Sequence, residues 1–216
     1  MPVENPDYIF TVDKENKTVY CNKEVTIISN KVLESDTVYE KAEVIEEKVA
    51  LYLNGKTVKT TSTEGNGVFH VQKDGLLIID GKGTVDGVGA SAEGYHMAIW
   101  ADGGKVIIKD GTFTNKGAKG GATTDQYDLM YVKGDGVLEI DGGFFDCETP
   151  RWTLNINNAS KGSIIVRGGT FVNYNPAESY TDEKGKDIPS SFVAEGYTVI
   201  SEKKSNGDVW YTVVKA

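Results

Sequence analysis

Four times in this chain a short apolar run ends in a glycine-rich corner and is followed by a brief β-prone segment. The runs are Leu76-Leu77-Ile78-Ile79-Asp80-Gly81, Val106-Ile107-Ile108-Lys109-Asp110-Gly111, Val137-Leu138-Glu139-Ile140-Asp141-Gly142 and Ile164-Ile165-Val166-Arg167-Gly168-Gly169. The segments after the corners are Gly83-Thr84-Val85, Gly111-Thr112-Phe113, Gly143-Phe144-Phe145 and Gly169-Thr170-Phe171, whose leading glycines lie 28, 32 and 26 residues apart. A looser first copy runs from Leu51 to Val58. Counting back six residues from Gly75, Gly104, Gly136 and Gly162 gives a third segment in each repeat: Phe69-His70-Val71, Ala98-Ile99-Trp100, Met130-Tyr131-Val132 and Ile156-Asn157-Asn158. Short runs rich in Val, Ile, Phe and Thr, punctuated by Gly, are strands, and no helical period competes with them here. A unit of this size cannot bury its apolar face alone, so successive units must stack. The expected fold is all-β, a parallel β-helix of about five coils. Its expected inward ladders are Phe69/Ala98/Met130/Ile156, Leu77/Val106/Leu138/Ile164, Ile79/Ile108/Ile140/Val166 and Val85/Phe113/Phe145/Phe171.

The repeat explains the composition. Glycine supplies 25 of 216 residues, well above the usual ~7%, and corners that change face need φ > 0. With 5 prolines and no Gly-X-Y period, collagen is excluded. A net charge of −9 argues against nucleic acid and against an anionic membrane surface as partners. No apolar stretch approaches 18 residues, so no membrane insertion is expected. The N-terminus shows no secretory signal, although a mature chain with its signal removed reads the same way. Cys21 and Cys147 form no motif and read as two unpaired thiols.

A β-helix leaves a sheet edge open at each end, which must be covered. Residues 1–49 read as an N-terminal capping or attachment segment, 50–176 as the β-helix, and 177–216 as a polar loop plus a C-terminal β-hairpin cap. Within the first, Tyr8–Val12 and Thr18–Tyr20 make a hairpin, and residues 40–47 a short helix or an irregular edge strand. In the last, Tyr197–Ile200 and Val209–Val214 flank Ser205-Asn206-Gly207-Asp208, a strong turn signal.

The connections after the third strand vary most, the longest being 114–128. Variable loops on one side of a rigid scaffold are where binding concentrates. This side offers Tyr95, Tyr127, Tyr131 and Trp152 beside Asp125, Asp128, Asp146, Glu148, Arg151, Asn155 and Asn157. Aromatic rings with carboxylates and amides suit a sugar; equally, these residues pack loops and fix turns. A glycosidase needs two carboxyls facing one bond, and Asp125 or Asp128 with Asp146 or Glu148 are the only weak candidates. No catalytic residue is assigned. Gly55-Lys56-Thr57 lacks the upstream glycine of a P-loop, and His70 with His96 do not make a zinc set, so no cofactor or metal is expected. Ile78, Ile107 and Ile165 alternate with an inward ladder and form an outward apolar stripe. Such a stripe is covered either by the chain itself or by a partner.

The Gly-Gly-Thr-Phe corner (168–171), the step Asp80-Gly81-Lys82-Gly83-Thr84-Val85-Asp86-Gly87 and the 26–32-residue period resemble right-handed parallel β-helix (pectate-lyase-like) proteins over about residues 50–175. The endings 173–176 and 191–197 are similar to those of short β-helix proteins of bacteriophage virions and gut bacteria. The resemblance implies a non-enzymatic structural or adhesion protein of a virion surface (head fibre, capsid decoration or spike). Such a protein would form a homo-oligomer, a trimer among the options, contact other virion proteins and bind a surface polysaccharide. The alternatives it raises are a secreted polysaccharide lyase or glycoside hydrolase, and a secreted or cell-surface bacterial polysaccharide-binding module.

Overall fold

The computed structural model describes residues 9–13, 18–22, 29–61, 67–88, 96–117, 128–157, 160–183 and 186–216. An antiparallel hairpin, β1 (Ile9–Asp13) with β2 (Thr18–Asn22), comes first. A parallel β-solenoid follows. Its first rung is short: β3 (Ser29–Val32), β4 (Thr37–Tyr39) and β5 (Glu43–Ile45). Four fuller coils are β6 (Lys48–Tyr52), β7 (Thr57–Thr60), β8 (Phe69–Gln72); β9 (Leu76–Asp80), β10 (Thr84–Asp86), β11 (Ile99–Asp102); β12 (Lys105–Ile108), β13 (Thr112–Thr114), β14 (Met130–Lys133); and β15 (Val137–Ile140), β16 (Phe144–Asp146), β17 (Leu154–Ile156). A last rung begins with β18 (Ser163–Val166) and β19 (Thr170–Val172).

Like strands of successive coils pair in parallel to give three sheets. Sheet 1 runs β3-β6-β9-β12-β15-β18, sheet 2 begins β4-β7-β10-β13-β16-β19, and sheet 3 runs β5-β8-β11-β14-β17. The chain then makes a ribbon of β20 (Ser179–Glu183) and β21 (Lys186–Ser190), where the sequence reads as a polar loop. Only two residues, 184 and 185, separate these strands, a spacing suited to a tight hairpin. Finally β22 (Tyr197–Lys203) and β23 (Val209–Lys215) form the expected hairpin, and β23 joins β19 antiparallel. Sheet 2 thus ends at β22.

Three of the expected ladders are present in register. Leu77, Val106, Leu138 and Ile164 stack, as do Ile79, Ile108, Ile140 and Val166, and Val85, Phe113, Phe145 and Phe171. All are buried. The phenylalanine rings lie nearly parallel, with centroids 5.2 and 4.7 Å apart. Each such side chain contributes roughly 1.5–3 kcal/mol by burial.

The fourth ladder needs correction. Phe69 pairs with Ile99, not Ala98, and Met130 pairs with Leu154, not Ile156. The inward residues sit six, five, six and eight positions before Gly75, Gly104, Gly136 and Gly162, so a constant offset fails. Ala98 instead closes the root of the β10–β11 connection, where a Cβ on Gly87 would come within 2.7 Å of its N.

The corners divide glycine's work in two. Between sheets 1 and 2, Gly81, Gly111, Gly143 and Gly169 have φ of 80°, 121°, 100° and 95°. Between sheets 3 and 1, Gly103 and Gly134 also have positive φ, 78° and 63°, but Gly136 does not. There a Cβ would collide with the carbonyl oxygen of Ala101 in the coil below. The corners between sheets 1 and 2 take three or four residues, and those between sheets 3 and 1 take two or three until the last, β17–β18, which takes six. The connections from sheet 2 to sheet 3 run eight, twelve, fifteen and seven residues in successive coils, from β7–β8 to β16–β17. Every connection of seven or more residues between neighbouring strands of the coils therefore leaves the solenoid at one edge.

Candidate functional site

The outer face of sheet 3 adjoins that edge. Residues alternating with its inward ladders stack as Val44, His70, Trp100, Tyr131 and Asn155. A second outward column holds Gln72, Asp102 and Lys133. The His70 ring lies flat on Trp100, centroids 4.1 Å apart, and its Nε2 is 3.1 Å from Asp102 Oδ2. Trp100 and Tyr131 are 6.2 Å apart and tilted, and Lys133 Nζ is 5.4 Å from the Trp100 ring centre. Asn157 Nδ2 donates to Tyr131 Oη at 2.7 Å. Because His70 and Trp100 stack along the solenoid axis, these two rings turn edges, not faces, outward. The groups this face offers for hydrogen bonding are the Asp102 carboxylate as acceptor, the Lys133 ammonium as donor, and the Tyr131 hydroxyl and Asn157 amide as both.

Asp128 stands at the start of this face. It is buried, and its Oδ1 accepts from Asn155 Nδ2 at 3.0 Å. Burial pushes its carboxyl up to about 7, against the lowering effect of the Asn155 bond. It therefore carries its proton in slightly acidic solution.

The loop edge is held by Asn115, which is fully buried. Its Nδ2 donates to the His96 carbonyl at 2.8 Å, and its Oδ1 accepts from Glu148 N–H at 2.7 Å, so one side chain ties the connections of three coils. Burial lowers the His96 pKa against the raising effect of Asp86. Cys147 is buried beside it as a thiol outside any disulfide; burial pushes it up to about 12, which disfavours the thiolate.

The expected candidates separate into groups. Tyr131, Asn155, Asn157 and Asp128 share the outer face of sheet 3. Asp146 and Glu148 lie at the loop edge, 3.9 and 3.8 Å from Lys116 Nζ, and Glu148 Oε2 also accepts from Gly117 N–H. Burial raises the Asp146 carboxyl, Lys116 opposing. Arg151 lies over the Trp152 ring at 4.9 Å on a short 3-10 turn, Pro150–Trp152. Tyr95, Asp125 and Tyr127 lie outside the described residues. His70, Trp100, Asp102 and Lys133 are site members that sequence reasoning missed. The signal was available: they alternate with Phe69, Ile99 and Met130 once the register is right.

The outer face of sheet 1 is different in kind. Ile78 and Ile107 have no exposed surface within the single chain, and Ile165 is half-buried. The hairpin strand β2 lies beside β3 and β6 at the start of this face. Glu139, in the same column, pairs with Lys105 (2.6 Å) and Arg167 (2.9 Å), and Asp141 pairs with Lys109 (2.8 Å) and Arg167 (3.3 Å). Burial raises the Glu139 carboxyl, but hydrogen bonds from Lys105 and Arg167 outweigh it and hold the group below its usual range.

Among the described residues no group of three or more His, Cys, Asp or Glu side chains is placed to hold a metal ion. Among the same residues no helix is long and apolar enough to cross a membrane. Comparisons with family profiles, with curated proteins and with solved structures found no match to this chain.

Proposed function

We propose that the chain is a non-catalytic, glycan-binding β-solenoid of a particle or cell surface, with the outer face of sheet 3 as its binding strip. One observation carries the reading: every coil connection of seven or more residues leaves at the edge beside a polar-aromatic column. A hydroxyl-rich chain laid along the axis meets Asp102, Lys133, Tyr131 and Asn157 at rung intervals of ~4.8 Å. The virion setting and the contacts with other virion proteins rest on the sequence resemblance. The test is a glycan array followed by affinity measurement on each hit. Binding should fall at least about tenfold, some 1.4 kcal/mol, in Tyr131→Ala and Trp100→Ala. An array without hits, or hits indifferent to both substitutions, overturns the proposal.

A hydrolase is the second reading, favoured by the protonated, buried Asp128 beside this strip. It predicts that reducing ends are released from a polysaccharide panel and that Asp128→Asn abolishes the release.

A further inference from the structure

We infer that two copies of this chain associate through β22, edge to edge and antiparallel about a two-fold axis. The inference does not depend on the glycan reading. Sheet 2 ends at β22, a seven-residue strand with β23 on one side only. The hydrogen bonds that continue the β22–β23 ladder beyond its ends run from Ala216 N to Gly196 O and from Lys204 N to Asp208 O. Antiparallel pairs alternate between bonded and non-bonded. The even-numbered residues of β22 are therefore bonded to β23. The odd-numbered ones turn their backbone groups to the open edge, and among the described residues nothing takes the N–H of Val199, Ser201 or Lys203.

The side chains make a second copy the fitting occupant. Ile200 is 57% exposed, one of three large apolar side chains left so open among the described residues, and it sits at the centre of this strand. A two-fold through Ile200 pairs Val199 with the partner's Ser201 in a bonded pair, as the edge parity requires. It sets Ile200 against its own copy in a non-bonded pair, where side chains come closest. Tyr197 then faces Lys203 and Thr198 faces Glu202, so no like charges oppose. Shifting the axis to Glu202 would set Glu202 against itself. The opposite end of sheet 2, β4, offers only three residues, which disfavours head-to-tail growth. The contact is isologous and closes on itself.

Sedimentation of the full chain at micromolar concentration tests this. The wild type should run at twice the chain mass. Ser201→Pro removes a donor that faces only the open edge, a position where an edge strand tolerates proline. It should run as a monomer with an unchanged far-UV spectrum. Ile200→Lys is a surface substitution that leaves the ladder intact, and it should weaken association at least about tenfold even if the proline variant misfolds. A wild-type monomer, a dimer that persists in Ile200→Lys, or open-ended filaments each overturn the inference.

Discussion

Two aromatic columns climb the same coils. Inside, Phe113, Phe145 and Phe171 stack with no exposed surface. Outside, His70, Trp100 and Tyr131 stack on sheet 3, each of a different type and each with a charged or hydrogen-bonding neighbour. The same rung spacing creates both. The inner column repeats one residue because its only task is to fill space at constant volume. The outer column varies because each rung must satisfy a different polar partner. Repetition thus marks what holds the solenoid together, and variation on the same spacing marks what it presents.

Removing one ring from each column should break the symmetry between them. Phe145→Ala leaves a cavity between two rings and should cost about 3–5 kcal/mol in urea unfolding. A loss of under about 1 kcal/mol would mean the inner column is not the main support. Next in size is the pH response at the foot of the outer column. The folded Asp128 carboxyl titrates near 7, while the unfolded one titrates near ~4. Between those values the folded state holds a proton that the unfolded state has lost. Stability should therefore fall as pH rises through this window, by up to about 1.4 kcal/mol per unit, and level off above it. Asp128→Asn should flatten that slope; an unchanged slope would assign it to other groups. The smallest effect is expected for Tyr131→Phe. It removes the acceptor for Asn157 at a half-exposed site and should cost about 0.5–1.5 kcal/mol, less than half the Phe145→Ala loss.

Much of this was legible in the chain. Like residues recur at Leu77, Ile79 and Val85 because the corner joining their two strands keeps three residues in each of the four repeats. The fourth ladder was not, because the corners between sheets 3 and 1 change length. In the coil of Gly104 the offset shortens by one, and an odd slip exchanges faces. Met97-Ala98-Ile99 is apolar throughout and gives no alternation to expose the slip, so a constant offset sets Ala98 inward in place of Ile99 and hides Trp100 as an outward ring. In the coil of Gly162 the offset grows by two, and an even slip preserves faces. Asn155 and Asn157 were therefore placed outward even though Ile156 was assigned to the wrong rung. The pairing of Asp146 and Glu148 with Lys116 was hidden for another reason: it depends on where loops fold back, and spacing does not encode that.

The single edge that carries the long connections has a consequence for how such a chain changes over generations. Connections of eight, twelve, fifteen and seven residues at that edge all deliver their strands to sheet 3 in continuous register. The ends of these connections pack in the core, through Val68, Ala98, Leu129 and Cys147, but their lengths differ without disturbing the rungs. A segment gained or lost at this edge lengthens or shortens one coil without sliding any buried column by a rung. The solenoid is in this sense a rack with one open side, on which new recognition segments can be mounted and exchanged while the structure that bears them stays unchanged.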